Sequence, residues 1–95
     1  MTPQLHPEAQ AEMAAAAVRY EREWPGLGND FLDKVESALR RLAADPQRCR
    51  LVDERNRKIN LQRFPYALVY EVTPDSIHVK AVMHLHRRPG YWKDR

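Results

Sequence analysis

Cysteine, glycine and long apolar runs are scarce in this 95-residue chain, and each shortage excludes a class of protein. Cys49 is the only cysteine, so no disulfide can form within the chain, as is usual in a reducing cytoplasm. The three glycines build no glycine-rich phosphate loop. No apolar run approaches the ~20 residues of a membrane helix, and the N-terminus lacks the pattern of a secretory signal. The composition therefore predicts a soluble cytoplasmic protein.

Charge is abundant, and its sign changes along the chain. Charged residues make up 31% of the sequence, with a net charge of +3. Residues 1–39 carry seven acids and three bases, whereas residues 40–63 carry eight bases and three acids. The length fits one domain over residues 1–95. Its basic second half is the candidate surface for an anionic partner.

Two helices are predicted in the first half of the chain. Residues 7–24 start with Pro7, which suits a first helical position, and place an apolar residue every three or four positions as far as Trp24. Residues 27–44 carry a similar apolar stripe, and the short Pro-Gly turn between the two runs predicts an antiparallel helical hairpin. Trp24 is expected in the core.

Beyond residue 48 the apolar period changes to two, which predicts β-strands. The candidate strands are residues 48–53, 57–63, 66–73 and 76–85. A tight turn at Pro74-Asp75 would align apolar residues on one face of the last two strands. The facing pairs would be Val72–Ile77, Tyr70–Val79, Leu68–Ala81 and Tyr66–Met83.

The preceding turn is predicted at Phe64-Pro65, where the X-Pro bond leaves the cis form open. It would pair Leu61 with Leu68 and Ile59 with Tyr70, so the helical hairpin would cover one face of the sheet. The predicted fold is α+β, with an antiparallel sheet of three to four strands. It is divided into a helical hairpin over 7–44, a meander over 48–87 and a tail over 88–95.

The chain resembles the RelE/ParE superfamily of type II toxin–antitoxin toxins, and among them the ParE-like plasmid stabilisation proteins. The matching segments, in order, are "HPEAQAEM", "PGLGNDFLDKVESALRRLAADP", "RFPYALVYEV" and "HLHRRPGYW". The resemblance implies a small toxin that is neutralised by a cognate antitoxin. Some members cleave mRNA on the ribosome, and others poison DNA gyrase.

Two positions depart from the family pattern. The family's short N-terminal strand would contain Pro3 here, so this strand is expected to be weak or frayed. In ribonuclease-type members, an arginine that contacts the reacting phosphate follows the "PY" of the third strand, and this chain has Ala67 there. A methyl group cannot neutralise charge that develops on a phosphate. This departure argues against RNA cleavage.

The segment "MHLHRRPGYW" gathers the side chains most suited to chemistry. A metal site needs three or four ligands, and His84 and His86 supply only two, so the sequence predicts no metal or other cofactor. His84, Arg87 and Tyr91 are the candidates for a catalytic centre around a phosphate. The alternative is that Tyr91 and Trp92 pack over the sheet edge. The predicted target- or antitoxin-binding residues are Arg57, Lys58, Arg63, Lys80, Arg87, Arg88, Tyr91 and Trp92.

The favoured interpretation is a ParE-like toxin that inhibits growth by binding DNA gyrase, without hydrolysis by this chain. The alternatives are a ribosome-dependent mRNA endonuclease and an inactivated relative that keeps only antitoxin binding. The expected partners are an acidic antitoxin, in a hetero-oligomer, and gyrase or the ribosome, with no membrane association.

Overall fold

Two helices pack on one face of a four-stranded sheet in the computed structural model, which describes all 95 residues. The elements are β1 Pro3–Leu5, α1 Pro7–Glu23, α2 Leu27–Ala44, β2 Asn56–Asn60, β3 Tyr66–Val72 and β4 Ile77–His84. The strands lie in the order β1-β4-β3-β2. The predicted α+β class and the helical hairpin are therefore confirmed.

Helix α1 begins and ends close to its predicted limits. The ring Nδ1 of His6 accepts a hydrogen bond from the Glu8 N–H at 3.0 Å, which satisfies one free donor of the first turn. The helix ends at Glu23 because the backbone of Trp24 is extended. The Trp24 side chain therefore leaves the apolar stripe and is 71% exposed. The prediction that Trp24 belongs to the core is wrong.

The turn between the helices depends on two glycines. Gly26 has a φ of 90°, a conformation that side chains disfavour. The Glu21 carboxylate accepts hydrogen bonds from the N–H groups of Gly26 at 2.9 Å and Gly28 at 3.0 Å. A Cβ on Gly28 would lie 2.6 Å from the Ala17 carbonyl oxygen. Glycine at this position lets α1 and α2 approach closely.

Strand β1 forms at the edge of the sheet and makes it mixed. It pairs in parallel with β4, with Pro3 opposite Ile77 and Leu5 opposite Val79. The His6 N–H donates to the Val79 carbonyl at 2.9 Å, which continues the pairing into the start of α1. Pro3 is tolerated because it is the first residue of an edge strand. The expectation of a weak or frayed strand is not met.

The β3–β4 hairpin follows the predicted register only up to a bulge. Val72 faces Ile77 and Tyr70 faces Val79, as predicted. Beyond Lys80, the pairing shifts by one residue. The pairs that follow are Val69–Ala81, Leu68–Val82, Ala67–Met83 and Tyr66–His84. The predicted Leu68–Ala81 and Tyr66–Met83 pairs are therefore wrong.

The bulge exchanges the two faces of the second half of β4. Val82 belongs to the apolar cluster beneath the helices, whereas Ala81 and Met83 belong to a second cluster on the opposite face. His84 lines a cleft beside α1, so it does not share a face with Lys80.

Strand β2 is shorter than predicted, and its register on β3 is displaced by two residues from the predicted pairs Ile59–Tyr70 and Leu61–Leu68. Ile59 faces Leu68, and Arg57 faces Tyr70. The strand ends at Asn60, and a five-residue loop over 61–65 replaces the predicted tight turn. The structure contains no cis peptide bond. Residues 48–53 form no strand, only an isolated bridge from Leu51 to Arg57.

The main core lies between the helices and the inner face of the sheet. An aromatic group fills its centre, with Phe31 5.0 Å from Tyr66 and 5.4 Å from Phe64 between ring centroids, in edge-to-face geometry. The Tyr70 side chain is fully buried, and its hydroxyl donates to the Pro46 carbonyl at 2.8 Å. The strand tyrosines Tyr66 and Tyr70 are thus core residues, as predicted.

Candidate functional site: the C-terminal tail and a basic cleft

The tail folds back over the face of the sheet that the helices leave open. Trp92 is only 5% exposed and packs with the second apolar cluster, whose other members are Ala67, Val69, Ala81 and Met83. Its indole N–H has no hydrogen-bond partner, so apolar contact holds it there. The tail is therefore an integral part of the fold.

Glu12 of α1 joins the tail to the sheet. Its Oε1 accepts from the Val82 N–H at 3.1 Å and from Arg95 Nη1 at 2.9 Å. Its Oε2 accepts from the Tyr91 hydroxyl at 2.7 Å and from Arg95 Nη2 at 3.2 Å. Arg95 also donates to the carbonyl of Lys80, the bulge residue, at 3.0 Å. One carboxylate thus connects helix, strand and tail.

Tyr91 is poorly suited to donate a proton in a reaction. Burial, together with its hydrogen bond to the Glu12 carboxylate, raises the pKa of the Tyr91 hydroxyl. The Arg87 guanidinium lies over the Tyr91 ring, with its carbon 4.1 Å from the ring centroid. These contacts hold Tyr91 as a platform for Arg87.

A cleft of about 500 Å³ opens between α1 and the C-terminal end of β4. Ala16, Val82 and Tyr66 form apolar parts of its wall. Its basic side chains come from three elements: Arg19 from α1, His84 from β4, and His86 and Arg87 from the segment that follows β4. The Arg19 guanidinium donates a hydrogen bond to the Tyr66 hydroxyl, and this contact raises the pKa of Arg19.

The surroundings of His84 favour the neutral imidazole with its proton on Nε2. The backbone N–H of His86 donates to His84 Nδ1 at 3.0 Å, so this nitrogen cannot carry a proton without losing the contact. Burial, with smaller effects from His86 and Arg19, lowers the pKa of His84. The arrangement leaves Nδ1 unavailable as a general base.

The position that would carry a phosphate-contacting arginine is closed to solvent. Ala67 is fully buried on the outer face of β3, in the cluster that Trp92 covers. His84 lies by contrast on the helix side of the sheet. The geometry therefore separates Ala67 from His84 instead of combining them in one reaction centre.

Three of the predicted basic binding residues have internal partners. Arg57 donates to the carbonyls of Gln47 at 2.9 Å and Cys49 at 2.6 Å, which ties the 45–50 loop to β2. The remaining two form ion pairs, Arg63 with Asp30 at 3.1 Å and Lys80 with Glu71 at 3.1 Å.

The other predicted binding residues differ in exposure. Arg87 and Arg88 are exposed, whereas Lys58 is half-buried. Tyr91 is also half-buried and Trp92 is buried, so neither offers a free aromatic face. The exposed basic surface of the tail is therefore centred on Arg87 and Arg88.

Glu12 and Arg19 are the site residues that sequence reasoning missed. They are seven residues apart, which places them on one side of α1 beside the buried stripe that contains Ala9 and Ala16. The available signal was the position of these two charged side chains at the border of the apolar stripe. Arg19 bonds to Tyr66, 47 residues away, and Glu12 bonds to Arg95, 83 residues away, and no local pattern identifies these partners.

No three His, Cys, Asp or Glu side chains converge in an arrangement that could hold a metal ion. Neither helix combines the length and the apolar character needed to cross a bilayer.

Comparison with known proteins places this fold in a family. Residues 4–89 match the family described as the ParE toxin of type II toxin-antitoxin system, parDE. The solved chain of the chromosomal ParDE toxin–antitoxin system from P. aeruginosa superposes with a TM-score of 0.78 at 17% identity, covering 90% of this chain and 97% of that one. No curated protein matches the chain in sequence. Since the family match spans nearly the whole sequence, the chain belongs to the ParE toxin family of type II toxin–antitoxin systems.

Proposed function

We propose that this ParE-family toxin inhibits growth by binding DNA gyrase in the cytoplasm, without cleaving RNA. The observation that carries the proposal is the burial of Ala67 beneath Trp92. Ribonuclease-type relatives are expected to use an arginine at this position, and here the side chain is a methyl group without access to solvent. Stabilisation of a charged phosphate is a major contribution to such a reaction, and a buried alanine cannot supply it at this position.

The states of His84 and Tyr91, two of the three catalytic candidates, support the same conclusion. His84 accepts a hydrogen bond at Nδ1, and its pKa is lowered by burial, so it is neutral at pH 7. The Tyr91 hydroxyl donates a hydrogen bond to Glu12, and its pKa is raised by burial and by this contact. A general base needs a free lone pair and a general acid needs a proton that is free to move, and both His84 Nδ1 and the Tyr91 hydroxyl are engaged in hydrogen bonds within the fold. The chain is thus better equipped to bind than to hydrolyse.

Growth inhibition provides the test of this function. Replacing Arg87 and Arg88 together with glutamine is expected to abolish growth inhibition, because each charge-assisted hydrogen bond to a target contributes roughly 1–3 kcal/mol. His84→Ala is expected to leave growth inhibition largely intact, because no proton transfer depends on this residue. Purified protein added to gyrase and supercoiled plasmid should produce linear DNA, whereas mRNA on ribosomes should stay intact.

Each outcome of this test separates the two mechanisms. A folded His84→Ala variant that loses both toxicity and mRNA cleavage would establish the ribonuclease in place of the gyrase poison. Absence of any growth inhibition by the unmodified chain would instead favour a relative that has kept only antitoxin binding. Circular dichroism of every variant confirms that the fold is retained before toxicity is scored.

We propose further that an acidic antitoxin segment neutralises the toxin in a hetero-oligomer. The outward face of α1 carries exposed small apolar residues, and Val18 among them is 50% exposed. Exposed Arg87 and Arg88 lie in the segment after β4, which shares the cleft with α1. An amphipathic segment with acidic side chains fits this combination of apolar and basic surface.

Charge reversal at the tail tests this interface. Arg87→Glu and Arg88→Glu are each expected to weaken binding of the cognate antitoxin, because attraction to acidic side chains becomes repulsion. Isothermal titration of the antitoxin into each variant measures the change. Gln47→Glu, at an exposed position of the 45–50 loop, introduces a charge away from the tail and serves as the control. Unchanged affinity in both tail variants would remove the tail from the interface.

A further inference from the structure

The cleft between α1 and the end of β4 contains basic side chains that have no acidic partner within the chain. Arg19 and Arg87 both line it, and neither has a carboxylate within 4.0 Å. His86 adds a third basic side chain. Glu12 is the single acid in the lining, and four donors already occupy both of its oxygens. The cleft therefore carries excess positive charge.

Arg19 and Arg87 are both held in place by contacts that leave most of their N–H groups free to bind a ligand. Arg19 donates through one nitrogen to the Tyr66 hydroxyl, which anchors the guanidinium at the wall of the cleft. The guanidinium carbon of Arg87 lies 4.1 Å from the centroid of the Tyr91 ring, and this cation–π contact uses none of its N–H groups as hydrogen-bond donors. Arginines that are positioned in advance lose little conformational freedom when a ligand binds.

We propose that this cleft is a binding site for a phosphate group, held by Arg19, Arg87 and His86. The basic side chains come from α1 and from the segment after β4, so donors line the cleft on two sides, which suits the three or four oxygens of a phosphate. A carboxylate has only two oxygens and would leave donors unused. The volume of about 500 Å³ exceeds that of a bare anion and gives room for the group to which a phosphate is attached.

The site is distinct from the outer face of the sheet. It lies on the helix side of β4, whereas Ala67 and Trp92 lie on the opposite side. The Lys80 bulge creates it, because without the one-residue shift His84 and Val82 would point away from α1. Arg87 is shared with the proposed target surface, whereas Arg19 belongs to the cleft alone. Arg19→Gln should therefore weaken phosphate binding and leave growth inhibition intact, which separates the two activities.

Inorganic phosphate is the first probe. It is titrated into isotope-labelled protein at constant ionic strength, with the NMR signals of His84 and His86 as reporters. The expected result is a saturable shift of both rings, and a 5′-phosphorylated dinucleotide should produce the same shift. Tighter binding of the dinucleotide would identify a nucleic-acid phosphate as the ligand, and equal binding would identify a free phosphate. Acetate that binds as tightly as phosphate would overturn the proposal.

Two pairs of variants locate the site. Arg19→Gln and Arg87→Gln are each expected to weaken phosphate binding about tenfold or more, as for loss of a charge-assisted hydrogen bond. Arg22→Gln and Arg88→Gln make the same charge change at exposed positions outside the cleft and should alter binding less than about twofold. If Arg19→Gln fails to fold because its bond to Tyr66 is lost, Arg87→Gln still decides the question. Equal weakening in all four variants would reduce the effect to net charge and refute the site.

Discussion

Replacing Trp92 with alanine is expected to lower the free energy of unfolding by about 3–5 kcal/mol. Trp92 is only 5% exposed, and its ring covers Ala67, Val69, Ala81 and Met83. Removal of the ring opens a cavity and exposes this second apolar cluster to water. The tail would also lose the anchor that keeps Tyr91 and Arg95 near Glu12. Urea denaturation followed by circular dichroism measures the change.

Trp92→Phe is the matched control for this prediction. Phenylalanine keeps an aromatic ring over the cluster and removes the buried indole N–H, which has no partner in the structure. Its cost should therefore be less than half that of alanine, because lost ring volume is partly offset by removal of an unsatisfied donor. Equal midpoints for the alanine variant and the unmodified chain would mean that the tail does not pack on the sheet in solution.

The helices were the most predictable part of the fold. The apolar stripe of α1 predicts residues 7–24 and that of α2 predicts 27–44, and the observed helices are Pro7–Glu23 and Leu27–Ala44. Their limits have local causes: Pro7 at the start of α1, and the glycine-containing turn between the helices. Trp24 shows where periodicity fails, since one extended backbone position redirects a side chain that matches the stripe in spacing.

The bulge at Lys80 could not be predicted from apolar alternation. Alternation assigns faces only where one face is polar, and Ala81, Val82 and Met83 are three consecutive apolar residues. Both faces of this part of β4 are buried, the inner by the helices and the outer by Trp92. A pattern of period two is uninformative there, so both possible registers fit the sequence equally well.

The loop over 61–65 could not be predicted from the sequence for a different reason. Arg63 has a φ of 75°, which is unusual for a residue other than glycine, asparagine or aspartate, and gives no sign in the sequence. Arg63 lies in a five-residue loop that is longer than a tight turn, and the register of β2 on β3 is two residues from the predicted one. Since a shift of two preserves the faces, Ile59 still points into the core.

The candidate site was predicted only in part. The sequence identifies His84, His86 and Arg87 because they are close together in one segment. The contribution of α1 depends on long-range packing, which brings Arg19 to Tyr66 and Glu12 to the tail. Such contacts follow from the three-dimensional register of β4, and that register is the feature that the sequence left undetermined.

Glu12 is the residue whose replacement should disturb the contacts of both β4 and the tail. Glu12→Gln is expected to lower the free energy of unfolding by about 3 kcal/mol, the lower end for breaking a buried ion pair. The Glu12 and Arg95 side chains are 17% and 15% exposed, so Arg95 would be left largely buried without a countercharge. The amide nitrogen of glutamine would also face donors in place of an acceptor oxygen, because all four groups around the carboxylate donate to it.

Glu8→Gln is the matched control, because Glu8 lies on the same helix and pairs with the same arginine. Its Oε2 is 4.0 Å from Arg95 Nη2, but its side chain is 66% exposed, so its loss should cost less than about 0.5 kcal/mol. Chemical denaturation of both variants gives the comparison, and Arg95→Met combined with Glu12→Gln should cost less than the two single changes added together. Equal, small effects of Glu8→Gln and Glu12→Gln would show that the carboxylate of Glu12 is solvated. The tail would then be held by Trp92 alone.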